Sequence, residues 1–149
     1  MPLPQDISPV FQDIQDTLMR SDSPWIETTP MSKVRVLWIG RESGHWASVI
    51  HWKKGYAAPP HKHLAGAHVF VLSGKLQVRD GTLYAGDYVY EAAGVLHDAT
   101  TALEDTTYLF IGTGPFIFFD ENGFTRYTDW EVMERLRLQP PASQAQAAE

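Results

Sequence analysis

Short apolar stretches run from about residue 33 to residue 128, separated by glycine, proline, aspartate and asparagine. Over 33–38, valines and a tryptophan alternate with lysine and arginine, which is the pattern of a strand with one buried face. The stretches 68–72 and 115–119 are apolar throughout, as is typical of strands covered on both faces. Many short strands at this spacing predict an all-β sandwich or barrel, and not alternating strands and helices.

Helical patterns flank the predicted strands. Residues 8–20 begin with a serine and a proline and place their apolar residues on one face, which predicts a short amphipathic helix. Thr128 and Glu131 form a T-x-x-E capping box, which predicts a second helix. The C-terminal stretch is rich in proline, glutamine and alanine, so we expect it to be disordered. The predicted domain therefore has four parts: a helix and lead-in over 1–32, a barrel over 33–128, a helix over 129–138 and a disordered tail over 139–149.

The composition excludes several classes of function. The net charge is -6 and lysine and arginine are not clustered, which argues against nucleic acid as a partner. The chain has no cysteine, so disulfides, thiolate metal ligands and a cysteine nucleophile are excluded. The N-terminus lacks the charged and apolar regions of a signal peptide, and no apolar run is long enough to span a membrane. We therefore expect a cytoplasmic protein that does not bind membranes.

Three of the six histidines lie within residues 61–68. Alternate residues of a strand point to the same face, so His61 and His63 project together at a separation that suits two ligands of one metal ion. Strand parity alone would place His68 on the opposite face. A Leu-Ala-Gly break precedes it, however, and a turn there can reset the register. Two alternatives stay open for His68: a fourth ligand, or a group that hydrogen-bonds bound substrate.

A second group of residues follows on the next strands. Gly86, Gly94 and His97 have the spacing of a strand, a tight turn and a histidine that opens the next strand. Without cysteine, histidine and carboxylate side chains are the only strong metal ligands in the chain. A third histidine from another strand completes one triangular face around an ion. The sequence therefore predicts a metal site formed by His61, His63 and His97.

These two groups together resemble the two-part signature of the cupin family. The pattern G-x5-H-x-H-x4-H-x5-G begins at Gly55, and G-x7-G-x2-H begins at Gly86. The resemblance covers roughly residues 33–128. It implies an all-β, single-domain double-stranded β-helix, or jelly-roll barrel, with short N- and C-terminal helices and a metal inside the barrel mouth.

Within the cupins, the chain is similar to the acetylacetone-cleaving and dihydroxyacetophenone-cleaving dioxygenases, which hold iron with three histidines. The similarity is carried by residues 90–97 and by 116–123 with the hairpin and helix that follow. It implies that Arg79, Glu91 and Thr100 surround the iron as catalytic residues outside its ligand set.

The chain also departs from this pattern. His68 stands near the position where most cupins, and the acetylacetone-cleaving type, have a glutamate. Ala92 replaces the usual proline of the second motif, and Ala58 falls where the acetylacetone-cleaving type has an aromatic residue in its pocket. We therefore expect a similar metal site with a pocket of different shape.

The activity that this resemblance predicts is a mononuclear non-haem Fe(II) dioxygenase, which uses O2 to cleave a carbon–carbon bond of a β-diketone or an α-hydroxyketone. Three neutral imidazoles leave the full charge of the ion uncompensated, which favours an anionic bidentate ligand such as an enolate. Fe(II) is the expected metal because it can donate electrons to O2 where Zn(II) cannot. Zn, Ni, Mn or Cu are alternatives in purified protein. The expected pocket residues are Phe70, Tyr108 and Phe110.

Two functions of other classes stay open. One is a metal-binding sensor or ligand-binding cupin without catalysis, similar to regulatory cupins that hold zinc. The other is a cupin isomerase or epimerase, which uses histidine as a base without a metal; three converging histidines exceed what one proton transfer needs. For either function, as for the dioxygenase, we expect a homodimer or a homotetramer because cupins commonly associate through edge strands and terminal segments.

Overall fold

In the computed structural model, the described part of the chain comprises residues 16–98 and 100–139. It contains one helix and short strands that all pair antiparallel. The elements are β1 (Ile26–Thr29), β2 (Ser32–Ile39), β3 (Trp46–Trp52), β4 (His61–His63), β5 (Ala67–Ser73), β6 (Lys75–Val78), β7 (Gly81–Tyr84), β8 (Tyr88–Glu91), β9 (Leu96–His97), β10 (Thr101–Ala102), β11 (Thr106–Gly112), β12 (Phe116–Asp120), β13 (Gly123–Thr128) and α1 (Trp130–Arg137).

The strands form three sheets. A six-stranded sheet has the order β1-β2-β3-β11-β5-β8, a four-stranded sheet has the order β13-β12-β4-β9, and a small sheet has the order β10-β6-β7. Strands distant in sequence are neighbours, since β11 lies between β3 and β5 and β12 lies beside β4. The all-β prediction is confirmed, and the topology places the histidine-bearing strands β4 and β9 side by side.

Alternation along each strand decides which side chains form the core. Val34 and Val36 on β2 are buried, as the alternating pattern predicts, and Trp46 on β3 and Val69 on β5 are buried in the same cluster. The four-stranded sheet covers this inner face, with the ring centroids of Trp46 and Phe116 lying 6.1 Å apart. Burial of such large apolar side chains supplies most of the driving force for folding.

The helix predictions have different outcomes. Most of the predicted helix over 8–20 lies outside the described residues, and its described end, 16–20, is not helical. The C-terminal helix is confirmed as α1. Its N-cap is Asp129, however, whose Oδ1 accepts a hydrogen bond from the backbone N–H of Val132 at 2.9 Å. Thr128 cannot serve as this cap, because it is the last residue of β13 and pairs with Phe116 in the ladder.

The predicted disordered tail lies outside the described residues from position 140 onward. Helix α1 has eight residues. Among residues 16–98 and 100–139, therefore, no helix is long and apolar enough to cross a membrane.

Candidate metal centre and adjoining cavity

Three histidine rings meet where β4 pairs with β9. His61 and His63 alternate on β4, and the register pairs His61 directly with His97 on β9. The ring centroids lie 5.2 Å apart for His61 and His63, 5.2 Å for His61 and His97, and 4.9 Å for His63 and His97. The structure thus brings together the three side chains that the sequence predicts as metal ligands.

The ring nitrogens of this cluster differ in their hydrogen bonds. Nδ1 of His61 lies 2.9 Å from the carbonyl oxygen of Pro59, so a proton on Nδ1 donates to that oxygen and leaves the Nε2 lone pair available. Among the described residues, the Nε2 atoms of His63 and His97 are buried without a hydrogen-bond partner. Buried polar atoms are almost always paired, so these two orphaned nitrogens fit coordination to an ion.

Glu91 approaches the same cluster from β8, in the six-stranded sheet. Its Oε2 lies 3.2 Å from Nε2 of His63 without hydrogen-bond geometry, and its Oε1 lies 3.7 Å from Nδ1 of His97. One ligand atom from each of His63, Glu91 and His97 falls within 4.8 Å of the others. The ligand atoms that converge are therefore those of His63, Glu91 and His97, and the ring of His61 lies beside them.

Burial controls the charges of these groups. Desolvation lowers the pKa of His61 from 6.5 to about 4 and also lowers the pKa of His97. For Glu91, burial by itself raises the pKa, but the nearby imidazoles, His63 above all, outweigh it and the net pKa is lowered. At neutral pH these two histidines are therefore neutral and Glu91 is ionised, which are the forms that bind a divalent cation.

A cavity of about 140 Å³ adjoins the cluster between the facing sheets. Its wall is mostly apolar and aromatic, with His61, His63 and Glu91 among its polar residues. A mainly apolar cavity with a few convergent polar groups is typical of a small-molecule site. The other lining residues are Trp46, Ser48, Ile50, Trp52, Tyr56, Ala58, Pro59, Val69, Leu76, Thr100, Tyr108, Phe110, Phe116, Phe118, Arg126, Thr128 and Met133.

The structure places three further predicted residues at this cavity. Thr100 is buried, and its carbonyl oxygen accepts a hydrogen bond from the backbone N–H of Ala58 at 2.9 Å. Tyr108 and Phe110 are buried on the inner face of β11. Burial and the charge of Glu91 raise the pKa of Tyr108 well above its ordinary value, so its side chain is a neutral phenol at physiological pH.

The structure does not bring His68 and Phe70 to the cavity, and the predictions for both are wrong. The inner face of β5 carries Ala67, Val69 and Val71, so the Leu-Ala-Gly break preserves the strand parity that a turn could have reset. Phe70 is consequently 40% exposed on the outer face. His68 lies on that face too, where its Nδ1 is 2.7 Å from the hydroxyl of Tyr88.

Arg79 lies in the turn after β6, outside the set of residues that line the cavity. Its side chain is 56% exposed and its Nη2 lies 2.6 Å from Oδ1 of Asp98. Asp98 directly follows His97 in the chain. Arg79 therefore contacts the residue next to His97 and does not itself reach the cavity.

Arg126 and Ser48 are among the cavity residues that the sequence analysis did not assign to the site. The guanidinium carbon of Arg126 lies 3.6 Å from the centroid of the Phe118 ring, its register partner on β12. Ser48 on β3 is fully buried. The alternation of β3 signals the inward position of Ser48, because Trp46 lies two residues before it; no comparable signal marks Arg126, whose strand is exposed from 123 to 127.

Comparison with known proteins identifies the relatives of this chain. Residues 15–117 match the family described as the ChrR cupin-like domain. The acetylacetone-cleaving enzyme of Acinetobacter johnsonii is 30% identical over 88 residues, which cover 55% of this chain and 58% of that protein. The aligned part is thus little more than half of that relative's length.

Solved structures agree with the fold. The acetylacetone dioxygenase from Acinetobacter johnsonii superposes with a TM-score of 0.76 at 24% identity, covering 83% of this chain and 91% of that chain. An RmlC-like cupin protein from Ralstonia eutropha gives a TM-score of 0.78 at 20% identity, covering 93% of this chain and 92% of that chain. A chain of the Rhodobacter sphaeroides complex between SigE and the anti-sigma protein ChrR gives a TM-score of 0.55 at 22% identity, covering 62% of this chain and 50% of that chain. These matches confirm the cupin fold predicted from the two histidine motifs.

Proposed function

This chain belongs to the ChrR cupin-like domain family, and we propose that it is a mononuclear non-haem Fe(II) dioxygenase. Its substrate is a β-diketone or an α-hydroxyketone, and its reaction cleaves one carbon–carbon bond with O2. The similarity to an acetylacetone-cleaving enzyme supports this proposal. The observation that carries it is the junction of three imidazole rings, two with orphaned buried nitrogens, with an apolar cavity.

We propose His61, His63 and His97 as the ligands, with Glu91 outside the ligand set. A β-diketone plus O2 gives a carboxylic acid and a dicarbonyl fragment, and an α-hydroxyketone plus O2 gives two carboxylic acids. In each reaction one carbon–carbon bond breaks, both oxygen atoms enter the products, and the substrate is the reductant. Bound Fe(II) supplies the electron transfer that O2 requires.

The chain's own residues prepare the ketone for this step. Glu91 is ionised and its side chain is only 10% exposed beside the cluster, so its carboxylate can take the proton from the carbon next to the carbonyl and leave an enolate. The neutral phenol of Tyr108 and the hydroxyl of Thr100 can donate hydrogen bonds to the substrate oxygens. The aromatic wall keeps water away from the reacting carbon.

The roles of the two arginines follow from their positions. Arg126 lines the cavity, and we propose that its positive charge attracts and holds the anionic enolate. Arg79 contacts Asp98, so we propose that it acts by positioning the strand that carries His97.

The test is oxygen uptake by Fe(II)-loaded protein offered acetylacetone and a hydroxyacetophenone in turn. We expect one acid per O2 consumed with acetylacetone and two acids per O2 with an α-hydroxyacetophenone, and loss of uptake in His97→Ala. His68→Ala is the matched control, because it removes an imidazole from the outer face only. Uptake that survives in His97→Ala, or that disappears equally in His68→Ala, contradicts the proposed site.

A sensor function is the second candidate, favoured by the family match to ChrR and by the similarity to that anti-sigma protein. It predicts zinc at the same cluster and no oxygen uptake with any ketone. Metal analysis of protein purified without added iron, combined with the uptake assay, separates the two candidates.

We also propose that the chain forms a homodimer or a homotetramer through the outer face of β5 and β8. Side chains on this face are apolar or aromatic and exposed, and β8 is an edge strand. Exposed apolar surface of this kind marks association sites. Sedimentation should show a multiple of the chain mass for wild type and a shift toward monomer for Phe70→Glu; a wild-type monomer contradicts this proposal.

A further inference from the structure

We propose that Ser48 hydrogen-bonds the end of the substrate remote from the histidine cluster, so that the preferred ketone carries a second polar group there. This inference rests on the proposed function. Ser48 is 0% exposed, and its Oγ has no hydrogen-bond partner in the described structure. It also lines the cavity. Because buried hydroxyls are almost always hydrogen-bonded, an unpaired hydroxyl on a cavity wall is available to bond a molecule that binds in the cavity.

The position of Ser48 defines which end of a substrate it would meet. It lies in the middle of β3, where its register partners are Val36 on β2 and Phe110 on β11. The ring of Phe110 is 6.3 Å from the ring of His63. Phe110 thus neighbours both Ser48, through strand register, and His63, through its ring, and the register partners of Ser48 on both sides are apolar.

This arrangement selects among ketones by their distal substituent. The two oxygens of acetylacetone are both needed at the histidine cluster, so its methyl ends would leave the Ser48 hydroxyl unpaired. A ketone with an aromatic ring and a hydroxyl at its far end would pair with Ser48 as donor or acceptor. The cavity wall suits such a ring, because Trp46, Phe110 and Phe116 offer aromatic surfaces 6.0 to 6.1 Å apart between centroids.

The experiment compares benzoylacetone with its para-hydroxy derivative. Dissociation constants are measured without oxygen, by quenching of tryptophan fluorescence in Fe(II)-loaded protein, since Trp46 and Trp52 line the cavity. We expect wild type to prefer the hydroxylated compound by about tenfold. Ser48→Ala should lose this preference through weaker binding of the hydroxylated compound, with its affinity for benzoylacetone unchanged.

Ser32→Ala is the matched control. Ser32 is also a buried serine of the six-stranded sheet, but its hydroxyl already accepts a hydrogen bond from Thr28 and it lies outside the cavity. This variant should keep the wild-type preference. Thermal melting of each variant checks that the substitution leaves the fold intact, as expected for Ser48→Ala because it removes an unpaired buried hydroxyl.

The outcomes separate this inference from the proposed function. If both diketones bind and are cleaved with no preference, or if Ser48→Ala keeps the preference, Ser48 has no role in specificity while the dioxygenase stands. A ligand-bound crystal structure with the Ser48 hydroxyl bonded only to water has the same meaning. If neither diketone nor acetylacetone binds or supports oxygen uptake, the proposed function fails and this inference fails with it.

Discussion

At the level of single residues, burial and hydrogen bonding assign different roles to chemically identical side chains. His63 and His68 are five positions apart, yet one is 1% exposed with an orphaned Nε2 and the other meets a tyrosine hydroxyl on the outer face. An unpaired buried nitrogen costs about 1–3 kcal/mol relative to a paired one. A protein can retain such an unpaired nitrogen where a bound ligand compensates for its cost. His63, and not His68, is therefore the residue to test for metal binding.

Measurement of metal affinity tests whether Glu91 orients the histidines or is itself a ligand. Glu91→Gln keeps the size of the side chain but removes its charge, and groups that orient metal-bound histidines are worth 10–100-fold in affinity. We expect this variant to bind one Fe(II) or Zn(II) per chain about 10–100-fold more weakly than wild type, measured by calorimetry. Complete loss of binding would identify Glu91 as a ligand and contradict the three-histidine set.

Metal-free protein should lose stability in acid because of His61. Its pKa is about 4 in the folded state and 6.5 otherwise, so between these values the unfolded chain binds more protons and stability falls as the pH decreases. From pH 7 to pH 5 the loss from this group is roughly 2 kcal/mol. Urea unfolding at pH 7 and pH 5 measures this loss of unfolding free energy. His61→Asn should lose less stability between the two pH values than wild type. An equal loss in both proteins would refute the assignment of the effect to His61.

At the level of elements, the tight connection between β5 and β6 depends on one glycine. Gly74 has φ of +86°, and a Cβ there would lie 2.7 Å from Cα of Thr106. Thr106 is buried, and its hydroxyl bonds both the N–H and the carbonyl oxygen of Lys75. The glycine therefore permits a close contact that joins β5 and β6 to the start of β11.

Alanine substitution separates conformational strain from this contact. Gly94 also has φ of +86°, but a Cβ there meets nothing within 4 Å. Gly94→Ala should cost about 1–2 kcal/mol of unfolding free energy, the price of a left-handed conformation. Gly74→Ala should cost about 3 kcal/mol or more, since backbone atoms must also shift. Equal losses in urea unfolding would show that the contact with Thr106 is unimportant.

At the level of the whole molecule, the histidine cluster joins two sheets. His63 and His97 belong to the four-stranded sheet, whereas Glu91 belongs to the six-stranded sheet. An ion held by the three histidines would fix the imidazoles that lie beside Glu91, and so strengthen the contact between the two sheets. Metal binding and folding should therefore be coupled.

Chelation tests this coupling. With free metal a hundredfold above its Kd, binding stabilises the folded state by about 2.7 kcal/mol, which corresponds to a rise in Tm of roughly 5–10 °C. We expect a chelator to lower the Tm of metal-loaded wild type by this amount and to leave His97→Ala unchanged. An equal chelator effect in both proteins would place the stabilising metal elsewhere.

Much of the fold was predictable because short-range rules govern it. The alternation of apolar and polar residues predicted β2, and the same period of two placed His61 and His63 on one face. The two-residue strands β9 and β10 were not predictable in this way. They are defined by pairing with β4 and β6, respectively, and not by any pattern of their own.

The residues of the candidate site likewise fall into those that local sequence predicts and those that only tertiary packing brings together. Local sequence was sufficient to single out the three clustered histidines and the cupin signature, since strand period and turn residues depend on only a few neighbouring positions. The family resemblance implied that Glu91 lies near the cluster, and strand parity offered the outward position of His68 as one alternative. Only the packing of the two sheets decided that Glu91 reaches His63 itself, that Ser48 and Arg126 share a cavity, and that His68 and Phe70 lie outside that cavity. Contacts between strands far apart in sequence depend on sheet order and register, and a single chain of residues carries no local pattern that reports them.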